Sequence, residues 1–153
     1  MAKPTPKHLA LEKWKLILDY YLKEVRSVVE QGVPVWNSGL NKSQIREIEK
    51  IQKVALKIIL GHKYESYESA CGRFGIQKLS VRRLEISTKF AIKLYKSKRC
   101  NEFFTPAVRN VDTRRDAPLL MEDKCNTRRC YVAPHNYLTR LVNKNKDKIL
   151  RSR

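Results

Sequence analysis

Between Leu9 and Gln31 the apolar residues Leu11, Trp14, Leu18, Tyr21, Leu22, Val25 and Val29 recur with a helical stride on one wide face, so the pattern predicts a helix over that range. Gly32 is its expected C′ residue, with Pro34 shortly after. Val33 to Leu40 reads as a turn in which the Trp36 ring covers the seam between two helices, a packing role rather than base stacking. Asn41 is placed to cap a second helix, Gln44 to reach back as a capping box, and Gly61 to end it. At about 100° per residue, Ile45, Ile48, Ile51, Ala55, Ile58 and Ile59 share one side of this helix. Arg46, Lys50, Lys53 and Lys57 form a narrow stripe on the opposite side.

Glu65 to about Arg73 predicts a short helix, weakened by Gly72 and Gly75. A stronger one is expected from Ser80 to about Lys98, with Leu84, Ala91, Leu94 and Tyr95 inward and Phe90 beside them. Its other side carries Arg82, Lys89, Lys93 and Lys96, a second basic stripe on the same plan. From Cys100 to Pro134 periodicity fades among Pro106, Pro118 and Pro134. That stretch predicts an irregular surface arm pinned by Leu119, Leu120 and Met121. A last helix is expected from Asn136 to about Lys148, followed by a frayed basic tail. The fold class is therefore all-α, a small helical bundle of about four to five helices with an irregular C-terminal arm. Residues 1–8 read as a flexible leader, 9–99 as a helical domain, 100–135 as the arm, and 136–153 as the C-terminal helix and tail.

Charge changes what the polar faces mean. A solvated lysine face is the ordinary fate of such residues, but a soluble domain usually mixes both signs at a net charge of about 2 to 8. This chain of 153 residues has 33 Lys and Arg against 15 Asp and Glu, a net charge of +18. The surplus points to a polyanionic partner: nucleic acid first, an anionic membrane surface second, an acidic protein third. Residues 1–60 hold 11 basic and 6 acidic side chains, and residues 61–153 hold 22 and 9, which makes the second part the expected contact surface. Two basic stripes on neighbouring helices would track a phosphate backbone, each cation releasing counterions as it binds. The apolar stretches are too short to span a membrane, and MAKPTPKHL lacks the apolar core of a signal peptide. An intracellular protein, cytoplasmic or nuclear, is expected, with Cys71, Cys100, Cys125 and Cys130 as free thiols.

Catalytic chemistry has little to stand on. Phosphoryl or nucleotidyl transfer needs clustered carboxylates for two metal ions, yet the aspartates at 19, 112, 116, 123 and 147 are isolated. The glycines make no phosphate loop. Cys125, Cys130 and His135 invite a zinc reading, but zinc sites prefer cysteines about two to four apart and need a fourth ligand, so no metal or other cofactor is expected. His8, His62 and His135 stand in unrelated contexts, with nothing to mark a base for a cysteine nucleophile.

Several runs together resemble the region after the catalytic palm in reverse transcriptases of non-LTR (LINE-type, Jockey-like) retrotransposons. They are Arg26, Ser27, Val28, Val29 and Glu30; Pro34, Val35 and Trp36; Ile48, Glu49, Lys50, Ile51, Gln52 and Lys53; Ile58, Ile59 and Leu60; then Tyr64 and Tyr67. Leu79, Arg82 and Arg83, then Phe90, Ala91 and Lys93, and later Thr127, Arg128 and Leu138 to Asn143 extend the likeness over most of residues 9–143. Gln31 departs from it, standing where an aromatic is common. The resemblance implies a thumb-like helical region that grips RNA template and DNA primer beside a polymerase centre. The Tyr-x-Asp-Asp motif of the palm is absent from this sequence, so it implies a fragment without polymerase activity of its own. Expected nucleic-acid contacts are Arg46, Lys50, Lys53, Lys57, Arg82, Arg83, Lys89, Lys93 and Lys96, with RNA, DNA or an RNA–DNA hybrid as partner. The competing expectations are an interaction module that docks on a palm domain, another protein or itself, and a decayed fragment with no selected role.

Overall fold

The apolar stride that opens the chain folds as a helix in three joined pieces: α1 (Pro6–Tyr20), one π-helical turn (Tyr21–Val25) and α2 (Arg26–Glu30). The computed structural model describes residues 6–97, 101–107 and 117–151. Residues 1–5 of the expected leader, the helix end at Lys98, Cys100, the middle of the arm at 108–116 and the last two residues of the tail lie outside them. A π turn takes one residue more than an α turn, so the buried face passes over Val25, which is exposed, and falls on Arg26 instead. The buried guanidinium is answered locally: Arg26 Nε donates to Glu30 Oε1 at 2.7 Å, and Arg82 Nε donates to the same oxygen at 3.3 Å. Beyond Gln31 the chain turns at Gly32, whose φ of +65° is costly for a residue with a side chain.

Every regular element among the described residues is helical. After α3 (Val33–Trp36) come α4 (Lys42–Leu60), α5 (Tyr67–Phe74), α6 (Leu79–Ser97), α7 (Arg128–Val132), α8 (Pro134–Lys144) and α9 (Lys146–Arg151). The chain divides into two compact units, Met1–Gln31 with Asn41–Arg82, and Gly32–Leu40 with Arg83–Arg153. One boundary between them thus falls inside α6, between Arg82 and Arg83.

In the first unit α4 starts as its sequence dictates. Asn41 Oδ1 accepts from Gln44 N at 2.8 Å, and Gln44 Oε1 accepts from Asn41 N at 2.9 Å. Gly61 ends the helix at a φ of +54°. The face it buries is not the one that the isoleucines mark. Gln52 and Leu56 are fully buried and Ile59 and Leu60 nearly so, whereas Ile51 and Ile58 are 40% and 70% exposed. On a helix wheel the inward direction is turned by about 60° from the expected one, onto Gln52. The reason is polar. Gln52 Nε2 donates to Tyr67 Oη at 3.0 Å and to the carbonyl oxygen of Gln77 at 2.9 Å, while its Oε1 accepts from Tyr21 Oη at 3.1 Å. Tyr67 Oη donates to Glu49 Oε2 at 2.6 Å, and Glu49 Oε1 accepts from Ser80 N. Around this chain pack Leu56, Ile59, Leu60, Ala70 and Cys71, with Trp14, Leu18, Leu22 and Phe74 at the edge. Each such aliphatic side chain contributes about 2 kcal/mol by leaving water.

In the second unit the α6 residues from Arg83 onward bury Arg83, Ser87 and Ala91 at a stride of four. Leu84 and Phe90, expected at the core, are 47% and 42% exposed. Leu119 and Leu120 are buried with Phe104, Leu138, Leu141 and Val142, so they pin the arm as expected, while Met121 is exposed. Asn143 of α8 holds the arm by its backbone: its Oδ1 accepts from Leu119 N and Leu120 N at 3.0 Å each, and its Nδ2 donates to the Leu120 carbonyl at 3.0 Å. An antiparallel bridge pairs Pro106 with Leu120. The expected single C-terminal helix breaks at Asn145, and α9 puts Ile149 into the core at 2% exposure, which anchors a segment expected to fray. The Trp36 turn belongs to this unit as well. Asn37 Nδ2 donates to Tyr137 Oη at 3.1 Å and Ser38 Oγ to the Val132 carbonyl, so the segment fastens to α7 and α8. The indole lies over Gly32, 3.6 Å from where a β-carbon would stand.

Gln52→Ala should lower the unfolding free energy by about 3 kcal/mol, because it strands the Tyr21 and Tyr67 hydroxyls and the Gln77 carbonyl. Ile58→Ala, the larger apolar deletion by sequence, should cost under about 0.5 kcal/mol. Urea denaturation of the full chain followed by circular dichroism measures both; a reversed order would place the isoleucine face inside.

Candidate nucleic-acid interface

With α4 turned onto Gln52, its cations lie on the flank of the helix, beside the core and not opposite it. Arg46, Lys50, Lys53 and Lys57 are all exposed, on one line along the helix. From the first to the last the helix rises by about 16 Å, the axial rise of about five nucleotides of one strand. The nearest carboxylate in ion-pair range of this line is Glu47, whose Oε2 is 3.9 Å from Lys50 Nζ, with both side chains about two-thirds exposed. Such a contact is worth little.

Two of these lysines lie against aromatic rings. Lys53 Nζ stands 5.2 Å from the centre of the Tyr67 ring, and Lys57 Nζ 5.4 Å from that of Tyr64. Lys63 continues the pattern over Trp14 at 4.7 Å. An exposed cation over a ring gains about 0.5 to 1 kcal/mol, enough to order the side-chain stem while the ammonium stays in water. Lys63 was not among the expected contacts. Its ring is supplied by Trp14 of α1, far along the chain, so no local sequence signal marked it. Lys78 also approaches Tyr67, at 5.8 Å, but its charge is taken up by Glu68 Oε1 at 2.7 Å. That hydrogen bond holds the Lys78 ammonium above its ordinary pKa and the Glu68 carboxyl below its own. Beneath the rings, burial pushes the Tyr21 phenol up to about 12, and burial together with the Glu49 bond holds Tyr67 far above the usual range. Neither hydroxyl ionises at neutral pH, so both remain donors in the chain through Gln52.

The second stripe does not repeat the plan of the first. Arg82 is half-buried and bonded to Glu30, and Lys89 Nζ sits 2.6 Å from Glu85 Oε1. Arg83 is 2% exposed, which removes it as a surface contact. Lys93 and Lys96 remain on the surface and, with Lys89 and Ser97, rim an open depression of about 490 Å³ floored by Ile92. On the helix wheel Arg83 stands about 100° from Arg82, beside Phe90 and Leu94 and away from the stripe, while Glu30 and Glu85 neutralise Arg82 and Lys89.

Cys125 and Cys130, two of the three residues of the zinc reading, meet with their sulfurs 2.8 Å apart. His135 Nε2 lies 3.5 Å from Asp123 Oδ2. Among the described residues no group of three or more His, Cys, Asp or Glu side chains is placed to hold a metal ion. No helix among them is long and apolar enough to cross a membrane. Comparison with protein-family models, with curated proteins and with solved structures finds no match to this chain.

Arg83→Glu should lower the unfolding free energy by about 3 kcal/mol or more, through a carboxylate forced into a buried site, while Lys93→Glu should leave it within about 0.5 kcal/mol. Chemical denaturation separates the two; equal and small effects would return Arg83 to the surface.

Proposed function

We propose that this chain is a non-catalytic nucleic-acid-gripping module, the thumb-like piece of a non-LTR retrotransposon reverse transcriptase. It would hold an RNA–DNA template-primer through its phosphates. The observation that carries the reading is the α4 line of Arg46, Lys50, Lys53 and Lys57, exposed along one helix and barely opposed by carboxylates. The net charge of +18 supports it, since it exceeds what solubility asks for. Phosphates lie along a polynucleotide whatever its bases, so a line of flexible ammonium groups binds without reading sequence. Lys93 and Lys96 on α6 are secondary contacts. The ancestry itself is tested in the genome, where an in-frame palm coding region immediately upstream is the expected neighbour.

Fluorescence titration of the full chain against an RNA–DNA hybrid at several salt concentrations tests the binding. With four α4 cations engaged, the logarithm of the association constant should fall against the logarithm of salt with a slope of about −3 to −4. Lys53→Glu with Lys57→Glu should flatten that slope by about 2 and weaken binding to every sequence alike. Affinity indifferent to salt, or unchanged in the double variant, contradicts the reading.

One observation favours a protein-docking role in addition. Leu16, Ile17 and Tyr20 on α1 and Ile51, Val54 and Ile58 on α4 are all exposed, more aliphatic surface than a solvated pair of helices needs. Self-docking through it would raise the mass seen by light scattering as concentration increases; a monomer throughout would remove self-docking.

A further inference from the structure

The corner of the second unit where the arm meets α7 holds a pair of thiols that the phosphate-binding reading does not use. Cys125 precedes α7, and Cys130 lies within it, its backbone N–H capped by Thr127 Oγ1 at 3.3 Å. Both cysteines are half-buried and unbonded, and their sulfurs are 2.8 Å apart, less than an ångström beyond an S–S bond of about 2.05 Å. The amide of Asn136 is aimed at them. Its Nδ2 lies 3.2 Å from Cys125 Sγ, 3.5 Å from Cys130 Sγ and 3.0 Å from the Cys130 carbonyl oxygen. Asn136 is itself 96% buried, so this donor is fixed in place and not borrowed from the surface.

We propose that Cys125 and Cys130 are an oxidisable dithiol, converted to an intramolecular disulfide by exchange with a small-molecule disulfide. The hydrogen bond to Cys130 pushes the Cys125 thiol up to about 11, and either sulfur can be its donor, so the exchange can open at either cysteine, Cys130 in the sequence that follows. The Cys130 thiolate forms a bond to one sulfur of the reagent, and the reagent's own S–S bond breaks, releasing one thiolate that takes up a proton. Cys125 then gives up its proton and its sulfur attacks Cys130 Sγ, expelling the second thiol. Two protein thiols and one reagent disulfide become one protein disulfide and two reagent thiols, with two electrons passing to the reagent. A donor set of two thiols with no third ligand favours this chemistry over a metal site. The bond would fasten the stretch between Leu120 and α7 to the helix, across a ring too short to need any large backbone movement.

The test uses the full chain, equilibrated in glutathione buffers of rising oxidised fraction, quenched with an alkylating reagent and read by peptide mass spectrometry. A Cys125–Cys130 disulfide peptide, with loss of two hydrogens, should appear in parallel with loss of alkylation at both positions. Cys71, buried on another unit, should keep its label at the same poise. Cys125→Ser should instead accumulate a mixed glutathione disulfide at Cys130, and Cys130→Ser one at Cys125. The proposal is overturned if both cysteines stay alkylated where glutathione has already modified another thiol, if they carry separate glutathiones, or if either pairs preferentially with Cys100.

Discussion

A single buried amide organises the first unit. Gln52 sits in the middle of a helix that, by apolar content, would rather turn elsewhere, and it takes hydrogen bonds from or gives them to the π turn, α5 and the chain entering α6. An amide withdrawn from water without partners costs several kcal/mol, more than the transfer energy of one isoleucine. Turned inward, Gln52 finds a partner at both ends of its amide, which offsets that cost, and Ile51 and Ile58 are left outward. The helix turns accordingly, and everything exposed on it follows: a line of cations on one side, a strip of aliphatic residues beside them. Glu49 and Tyr67 extend the same polar chain, so the acid on the inner edge of α4 is spent on the Ser80 backbone and is not left to neutralise the lysines.

What could be read from the sequence, and what could not, divides along this line. The Asn41–Gln44 box, the stop at Gly61 and the turn at Gly32 were legible because capping and positive φ are settled within a few residues. The all-helical class was legible from periodicity. The burial of Arg26, Gln52, Arg83 and Ser87 was not, because a polar residue goes inside only when distant partners meet it, and those lie far along the chain. The π turn added one residue to the first helix and displaced its inner face, a local event without a sequence signal. Leu119 and Leu120 were recognisable as anchors. Asn143, which ties their backbone to α8, was visible only as part of a family likeness.

The candidate site shows the same split. Four of its expected cations stand where helical spacing put them, since facing water requires no partner. Arg82 and Lys89, expected as phosphate contacts, are paired with carboxylates that arrive by tertiary packing in one case and by an i,i+4 pair in the other. Lys63 was overlooked because the ring beneath it, Trp14, comes from α1, about fifty residues away in sequence. The exposed, weakly opposed cations of α4, more than the total charge of +18, are the basis of the proposed phosphate contact.

The orientation of α4 is open to direct inspection by nuclear magnetic resonance of the labelled full chain. The side-chain amide protons of Gln52 should exchange slowly with solvent and show cross-peaks to the Tyr21 and Tyr67 rings, while the methyl groups of Ile51 and Ile58 show contacts to water and few to the core. A rapidly exchanging Gln52 amide, with Ile51 and Ile58 packed against those rings instead, would contradict the fold described for this helix and would leave its cations facing elsewhere.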